Sequence, residues 1–223
     1  MSSEAYIKET VKKAAIVMAQ VWGIGQRKFR ESFHRRMEMF KSLVKSIILY
    51  AAEIWSWREE ERAKKLQEKY IRWTLGLDFN IPAYLIREET KTEKIRIEAK
   101  KRAVRYEEKT RSKRTNKIIT ECWKEIDVKQ EKKKLKWEKK REEYCSGKGI
   151  DREGLRERRA AGRELSEALA EVDRAKQKQE QKASIKEGRF FPKYKELRIA
   201  KKPKYLEKEY QEPEDDSEIP MRK

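Results

Sequence analysis

Apolar residues recur at helical spacing between Phe40 and Trp55. They fall at positions 40, 43, 44, 47, 48, 51, 54 and 55. This i, i+3, i+4 recurrence is typical of a helix with one wide buried face. A second block repeats the spacing at 63, 66, 70, 73 and 77, and it contains Gly76, a residue type that closes helices in a left-handed turn. We therefore predict an antiparallel pair of helices joined through residues 57–61.

A first helix is predicted before this pair. Ser2 or Ser3 can cap its start, because a serine hydroxyl accepts a hydrogen bond from a free backbone N–H of the first turn. Gly23 and Gly25 are expected to end it. The predicted buried face carries Ile7, Val11, Ala14, Met18 and Trp22.

Further helices are predicted after Gly76. Pro82 suits the first turn of a short helix, and Thr90 with Glu93 matches the capping-box pattern at the start of the next. Another helix should begin at Thr115 or Asn116. Its predicted buried side carries Ile118, Ile119, Cys122, Trp123 and Ile126.

The apolar residues are dense before residue 127 and sparse after it. Charged residues make up 44% of the chain, against about 25% in ordinary globular proteins, and no stretch shows the alternation of a strand. We predict an all-α chain in three parts. These are a helical bundle over residues 1–126, long charged helices over 127–188 and a poorly ordered tail over 189–223.

The two central helical blocks resemble a known family. Non-LTR (LINE-type) retrotransposon reverse transcriptases carry, just after the polymerase palm, an Ile-Leu-x-Tyr-Gly-x-Glu-x-Trp helix followed by a Leu-x-x-x-Gln-x-x-Tyr/Phe-x-x-Trp-x-Leu-Gly helix. This chain has Ala51 where the family usually has glycine. The resemblance covers roughly residues 1–120 and implies the thumb and connector region of such an enzyme. Further similar stretches lie at 18–29, 80–88, 119–123 and 184–191.

The active-site motifs of that family are not found in this sequence. Its polymerase needs paired aspartates on a palm hairpin to hold two divalent ions. The only adjacent aspartates, Asp215 and Asp216, lie in an acidic segment that follows Pro213, which is typical of a solvated tail. The family's endonuclease and Cys/His knuckle have no counterpart either. We therefore expect no catalytic residue, no metal site and no cofactor.

The cysteines and the single histidine do not indicate a metal site. Two cysteines and His34 cannot supply the four ligands of a structural zinc ion by themselves. We predict that Cys122 is a small core residue and that Cys145, before a Ser-Gly-Lys-Gly stretch, is an exposed thiol. Both suit a reducing intracellular environment.

The formal charge of +19 is the strongest functional indication independent of any family. Excess cations attract phosphate through counterion release, whatever the base sequence. We predict two groups of nucleic-acid contacts. The first group, which the resemblance implies lies near the template–primer duplex, is Arg27, Lys28, Arg30, Arg35 and Arg36. The second group is Lys132, Lys133, Lys134, Lys139, Lys140 and Arg141.

A structural interpretation competes for the second group. Glu131, Glu138, Glu142 and Glu143 lie close in sequence and can pair with these lysines on a solvated helix face.

The tryptophans also have two possible roles, as platforms for base stacking or as core residues. At helical spacing among aliphatic residues they are more often core, so only Trp137, isolated among lysines, is a candidate for base stacking. The predicted core tryptophans are Trp22, Trp55, Trp57 and Trp73.

Three functional hypotheses follow from the sequence. The first is a non-catalytic thumb and connector segment that binds RNA or DNA backbone without sequence preference. The second is a helical rod that contacts other proteins, and the third is a translated remnant of a decayed element with no present function. No apolar run approaches the ~20 residues of a membrane span, and no signal peptide is evident. We expect an intracellular protein in the nucleus or the cytoplasm.

Overall fold

A computed structural model describes residues 3–57, 61–111, 116–128, 134–149, 157, 165–188, 192–196 and 203–206. Every regular element in these ranges is helical, so the all-α prediction is confirmed. The helices are α1 (Ser3–Lys28), α2 (Phe33–Met39), a π-helix (Phe40–Lys45), α3 (Ser46–Ile48), α4 (Ala52–Trp55), α5 (Glu61–Leu75), α6 (Ala83–Thr90), α7 (Ile95–Arg111), α8 (Lys117–Val128), α9 (Lys136–Ser146), α10 (Leu165–Glu187), α11 (Pro192–Glu196) and a 3₁₀ turn (Lys204–Leu206).

Helix α1 continues through both glycines that were predicted to end it. That prediction is wrong, because helical glycine weakens a helix by only about 1 kcal/mol and tertiary packing compensates. Gly25 is buried, and a Cβ built there would lie 3.4 Å from Cγ of Arg36. Arg36 therefore packs directly against α1 at this glycine.

The predicted single helix over residues 40–55 is interrupted. Helix α2, the π-helix and α3 follow one another without a break. This continuous helical segment then ends in a turn at 49–51. Ala51 adopts φ 52° and ψ 31°, the left-handed conformation. Trp55 donates through its indole Nε1 to the carbonyl of Tyr50 at 3.2 Å. The turn changes the helical phase, so Ile54 is 70% exposed although the periodicity placed it on the buried face.

Replacing Ala51 by glycine should stabilise the fold. The left-handed conformation costs an L-residue about 1–2 kcal/mol, whereas the added backbone entropy of glycine costs about 0.5–1 kcal/mol. We expect Ala51→Gly to raise the free energy of unfolding by roughly 0.5 kcal/mol. The matched control is Ala52→Gly in helix α4, which should lower it by about 1 kcal/mol. Urea unfolding measures both, and equal destabilisation by the two variants would contradict strain at Ala51.

Helix α5 forms the centre of the first core. Tyr70 is fully buried and stacks on Phe40 with ring centroids 4.7 Å apart. The helix ends as predicted at Gly76, whose φ is +63°. The N–H of Leu77 donates to the carbonyl of Arg72 at 2.9 Å. This hydrogen bond spans the left-handed turn and is characteristic of a Schellman motif.

The predicted capping box at Thr90 and Glu93 does not form. Thr90 is the last residue of α6, and its hydroxyl donates to the carbonyl of Ile86 at 2.7 Å. The chain then passes through Lys91 in the left-handed conformation. Two buried glutamines hold the following loop instead. Gln67 of α5 binds the backbone of residues 93 and 95 at 2.9 and 3.2 Å, and Gln177 of α10 binds residues 92 and 94 at 3.1 and 2.9 Å.

A second core joins segments on both sides of residue 126, because α10 packs along α7 and also contacts α6. Cys145 is buried in this core and Cys122 is exposed, so both cysteine predictions are wrong. Sequence periodicity could not reveal that the short helix α9 folds back onto α7. The buried members of this second core are Trp57, Ala103, Val104, Cys145, Leu165 and Leu169.

Helix α8 has no buried residue, which corrects the buried side predicted for it. The sequence places apolar residues at helical spacing along one face of α8, but Ile118 on that face is 71% exposed. Trp123 is half-buried and donates to the hydroxyl of Thr110 on α7 at 3.1 Å. Polar contacts therefore attach this helix to α7.

Two short segments of the predicted tail pack on the bundle. Tyr194 and Tyr205 both donate to the carboxylate of Glu89 on α6, at 2.7 and 2.5 Å. Leu206 is buried against the first core. The rest of 189–223 lies outside the described residues, as do residues 150–164 apart from position 157.

Candidate nucleic-acid interface

Four of the five cations in the first predicted group surround an open concavity of about 380 Å³ where α1 ends and α2 begins. Arg27 and Lys28 occupy the last turn of α1, where the helix dipole favours positive charge. Arg30 and Arg35 follow on the turn and on α2, and all four side chains are exposed. The concavity is lined by Arg27, Lys28, Phe29, Arg30, Glu31, Ser32 and Arg35.

Local hydrogen bonds set this turn. The hydroxyl of Ser32 caps α2 by accepting from the backbone N–H of Arg35 at 3.3 Å, a role that small polar residues fill well. The guanidinium of Arg35 lies 5.6 Å from the ring centroid of Phe29, within the range of a cation–π contact. Arg30 is 3.9 Å from the carboxylate of Glu31, but both side chains are mostly solvated. Such an exposed pair contributes little, so the surface keeps a net positive charge.

Arg36 is not part of this surface, which corrects its prediction as a phosphate contact. It is 4% exposed and its guanidinium lies 4.3 Å from the ring of Trp22. Its NH1 donates to the carbonyls of Arg30 and Thr74 at 3.4 and 3.3 Å. Burial lowers the pKa of Arg36 from its ordinary value. By holding the carbonyl of Arg30, Arg36 positions the turn that carries the exposed cations.

The second predicted group is only partly a surface. Lys132 and Lys133 lie outside the described residues. Lys134 pairs with Glu142, as the competing interpretation expects. Lys139 and Lys140 are exposed on α9. Of the six predicted contacts, Lys139 and Lys140 are therefore the solvent-facing candidates among the described residues.

Arg141 is buried, so it too is removed from the candidate contacts. Its Nε donates to Glu107 of α7 at 2.5 Å, and its NH2 bonds to the other oxygen of that carboxylate. Burial acts to lower the pKa of Arg141, but the charge and the hydrogen bonds of Glu107, with smaller contributions from Cys145 and Asp127, together outweigh it, so the pKa is raised. Glu107 also accepts from Arg111 at 2.9 Å, and Arg111 pairs with both oxygens of Asp127 at 2.7 and 3.0 Å. This network ties α7, α8 and α9 together.

The four tryptophans that were predicted to be core residues pack in the two cores. Trp55 and Trp57 are buried, and Trp22 and Trp73 pack against the first core with ring centroids 5.4 Å apart. Trp137, the candidate for base stacking, is half-buried and packs against the second core. His34 is exposed.

The described residues contain no cluster of three or more side chains that could hold a metal ion. None of the helices in these ranges combines the length and apolar character that crossing a membrane requires. Comparison of the chain with protein-family models, with curated proteins and with solved structures gave no match.

Proposed function

We propose that this chain is a non-catalytic, thumb-like segment that holds RNA or DNA through its phosphate backbone, as its resemblance to non-LTR retrotransposon reverse transcriptases implies. The observation that carries the proposal is the group of four exposed cations, Arg27, Lys28, Arg30 and Arg35, around one concavity. They lie beside the helices that contain the family-like motifs. Cations of this kind contact phosphates and position a strand without reading its bases.

The motif residues have structural roles that support the proposal. Gln67 holds the loop before α7, and Gly76 adopts the left-handed conformation that closes α5. Tyr70 donates to the backbone carbonyl of Arg36 at 2.9 Å. Ala51, where the family usually has glycine, adopts a left-handed conformation that glycine tolerates best. The motifs therefore describe a scaffold, and the proposed binding chemistry belongs to the cations beside it.

RNA binding should weaken when three of these cations are neutralised. We expect the parent to bind single-stranded RNA with an affinity that falls steeply as salt rises. Arg27→Gln, Lys28→Gln and Arg30→Gln together should weaken binding and flatten the slope of log affinity against log salt by roughly 2, because each lost contact contributes about 0.7. Filter binding at three salt concentrations measures the slope.

A matched control separates local contacts from total charge. Lys8, Lys12 and Lys13 are exposed on the first half of α1, and their triple glutamine variant removes the same charge. It should retain most of the parent's slope. An equal loss in both triple variants would contradict a defined interface, and no binding by the parent at low salt would contradict the nucleic-acid proposal.

The chain by itself should not extend a primed template. The proposal assigns it no pair of metal-binding carboxylates, which nucleotide transfer requires. Primer extension with magnesium or manganese should therefore give no product. Extension that persists through repurification and is abolished by Asp215→Ala with Asp216→Ala would contradict the non-catalytic assignment.

A helical rod that contacts other proteins is the second candidate function. The exposed apolar face of α8, with Ile118 at 71% and Val128 at 81%, favours it. Light scattering distinguishes the two proposals. A stable oligomer that is indifferent to RNA supports the rod, and a chain that neither associates nor binds RNA supports a decayed remnant without present function.

A further inference from the structure

A second concavity, of about 460 Å³, opens between α6 and α10. Five cationic and two acidic side chains line it, together with two glutamines. None of these residues belongs to the interface at the end of α1. The groove therefore has a positive lining of its own.

Three of its cations are engaged with carboxylates of the fold. Arg87 forms a buried pair with a glutamate of α5. Lys91 pairs with Glu88, and Arg174 pairs with Glu93 at 2.8 Å. These pairs balance their charges within the fold, so they do not themselves call for an external anion.

The remaining two cations lie one helical turn apart on α10. Lys178 and Lys182 are both exposed. Among the residues that the structure describes, no carboxylate lies within ion-pair distance of either ammonium group. Residues at i and i+4 share one helix face, so both ammonium groups can reach the same ligand in the groove.

Gln181, at i+3 on the same face, supplies an independent observation. It is 5% exposed, and its amide Nε2 is buried without a hydrogen-bond partner in the structure. Gln177 in the same wall differs, because its amide uses both ends on the loop before α7. A buried donor without an acceptor is destabilising. An oxygen ligand in the groove would relieve that deficit after a small rotation of the amide.

We propose that Lys178, Gln181 and Lys182 bind a phosphate group in the groove between α6 and α10. A phosphate offers several acceptor oxygens, and its negative charge would pair with the two ammonium groups, which have no carboxylate within ion-pair distance among the described residues. Lysine is a common phosphate ligand. The phosphate belongs either to a free phosphate ion or to a nucleic-acid backbone. This proposal does not rest on the proposed function, since it involves different residues.

Thermal unfolding of the full chain in sodium phosphate and in sodium chloride of equal ionic strength tests the site. A ligand that binds only the folded state raises its stability, so phosphate should raise the melting temperature. Lys178→Gln with Lys182→Gln should weaken phosphate affinity about tenfold. The control, Lys176→Gln with Lys186→Gln, removes the same charge from α10 outside the groove and should bind as the parent. No stabilisation of the parent, or equal losses in both variants, overturns the proposal.

Gln181→Met tests the amide separately, because methionine keeps the volume and removes the unsatisfied donor. In chloride this variant should be more stable than the parent. In phosphate it should bind about fivefold more weakly, since one hydrogen bond to a charged ligand is lost. Unchanged phosphate affinity would overturn the role of Gln181.

A short single-stranded oligonucleotide distinguishes the two sources of phosphate. If the groove takes a nucleic-acid backbone, the Lys178/Lys182 variant weakens oligonucleotide binding and free phosphate competes with it. If the groove takes free phosphate, oligonucleotide binding is unchanged while phosphate affinity falls. Both results support the site. The Arg27/Lys28/Arg30 variant should keep the response to phosphate in this groove, so failure of the interface at α1 would be seen separately.

Discussion

Replacing Glu107 by leucine should lower the free energy of unfolding by about 3–5 kcal/mol, because it leaves Arg141 buried without its carboxylate. The charge pair is almost fully enclosed, with both residues about one-twentieth exposed. Removing one partner of such a pair is far more harmful than removing both. Chemical denaturation with urea measures the loss.

The double variant Glu107→Leu with Arg141→Met is the control. It replaces the pair by apolar side chains of similar size, which is often neutral for stability. We expect it to recover most of the lost free energy, giving a large coupling between the two positions. A loss below about 1 kcal/mol in the single variant would show that the carboxylate is not needed inside the fold.

Tyr70→Ala should have an effect of similar size on the first core. Tyr70 is fully buried, stacks on Phe40 and meets Trp22 edge-on at 6.4 Å. Truncating a buried aromatic side chain costs about 3–5 kcal/mol, through lost transfer energy and the cavity left behind. Tyr70→Phe removes only the hydrogen bond to the carbonyl of Arg36 and should cost about 1 kcal/mol.

Phe79 provides the matched aromatic control, because it is 85% exposed. Phe79→Ala should change the free energy of unfolding by no more than about 0.5 kcal/mol, as surface substitutions usually do. Denaturant unfolding followed by circular dichroism compares the variants. A small loss for Tyr70→Ala, close to that of Phe79→Ala, would contradict α5 as the centre of the core.

Local patterns predicted elements that depend on near neighbours in the chain. The 3.6-residue recurrence identified α5, and its glycine closes the helix where expected because a left-handed turn is a local requirement. The same recurrence did not predict the turn at Ala51. Alanine carries no local preference for positive φ, so only the surrounding packing explains its conformation there. The recurrence also could not show that α8 would remain exposed.

The candidate nucleic-acid interface likewise has features that the sequence predicted and features that only the packing of the helices explains. Composition alone indicated a cationic protein, and the exposed cations Arg27, Lys28, Arg30 and Arg35 lie around one concavity. Whether a given arginine faces water or the interior depends on which helix crosses it. Arg36 differs from its neighbour Arg35 because α1 presents a glycine and a tryptophan to it, several residues away in sequence.

The sequence by itself determined that the chain is helical and strongly basic, because helical periodicity and charge are properties of neighbouring residues and of composition. The tertiary structure alone decided which charges pair inside the fold. Glu107 and Arg141 are 34 residues apart and meet only because α9 returns to α7. Gln67 of α5 and Gln177 of α10 hold one loop together for the same reason. A contact between distant residues depends on how the helices pack, and local periodicity carries no record of that packing.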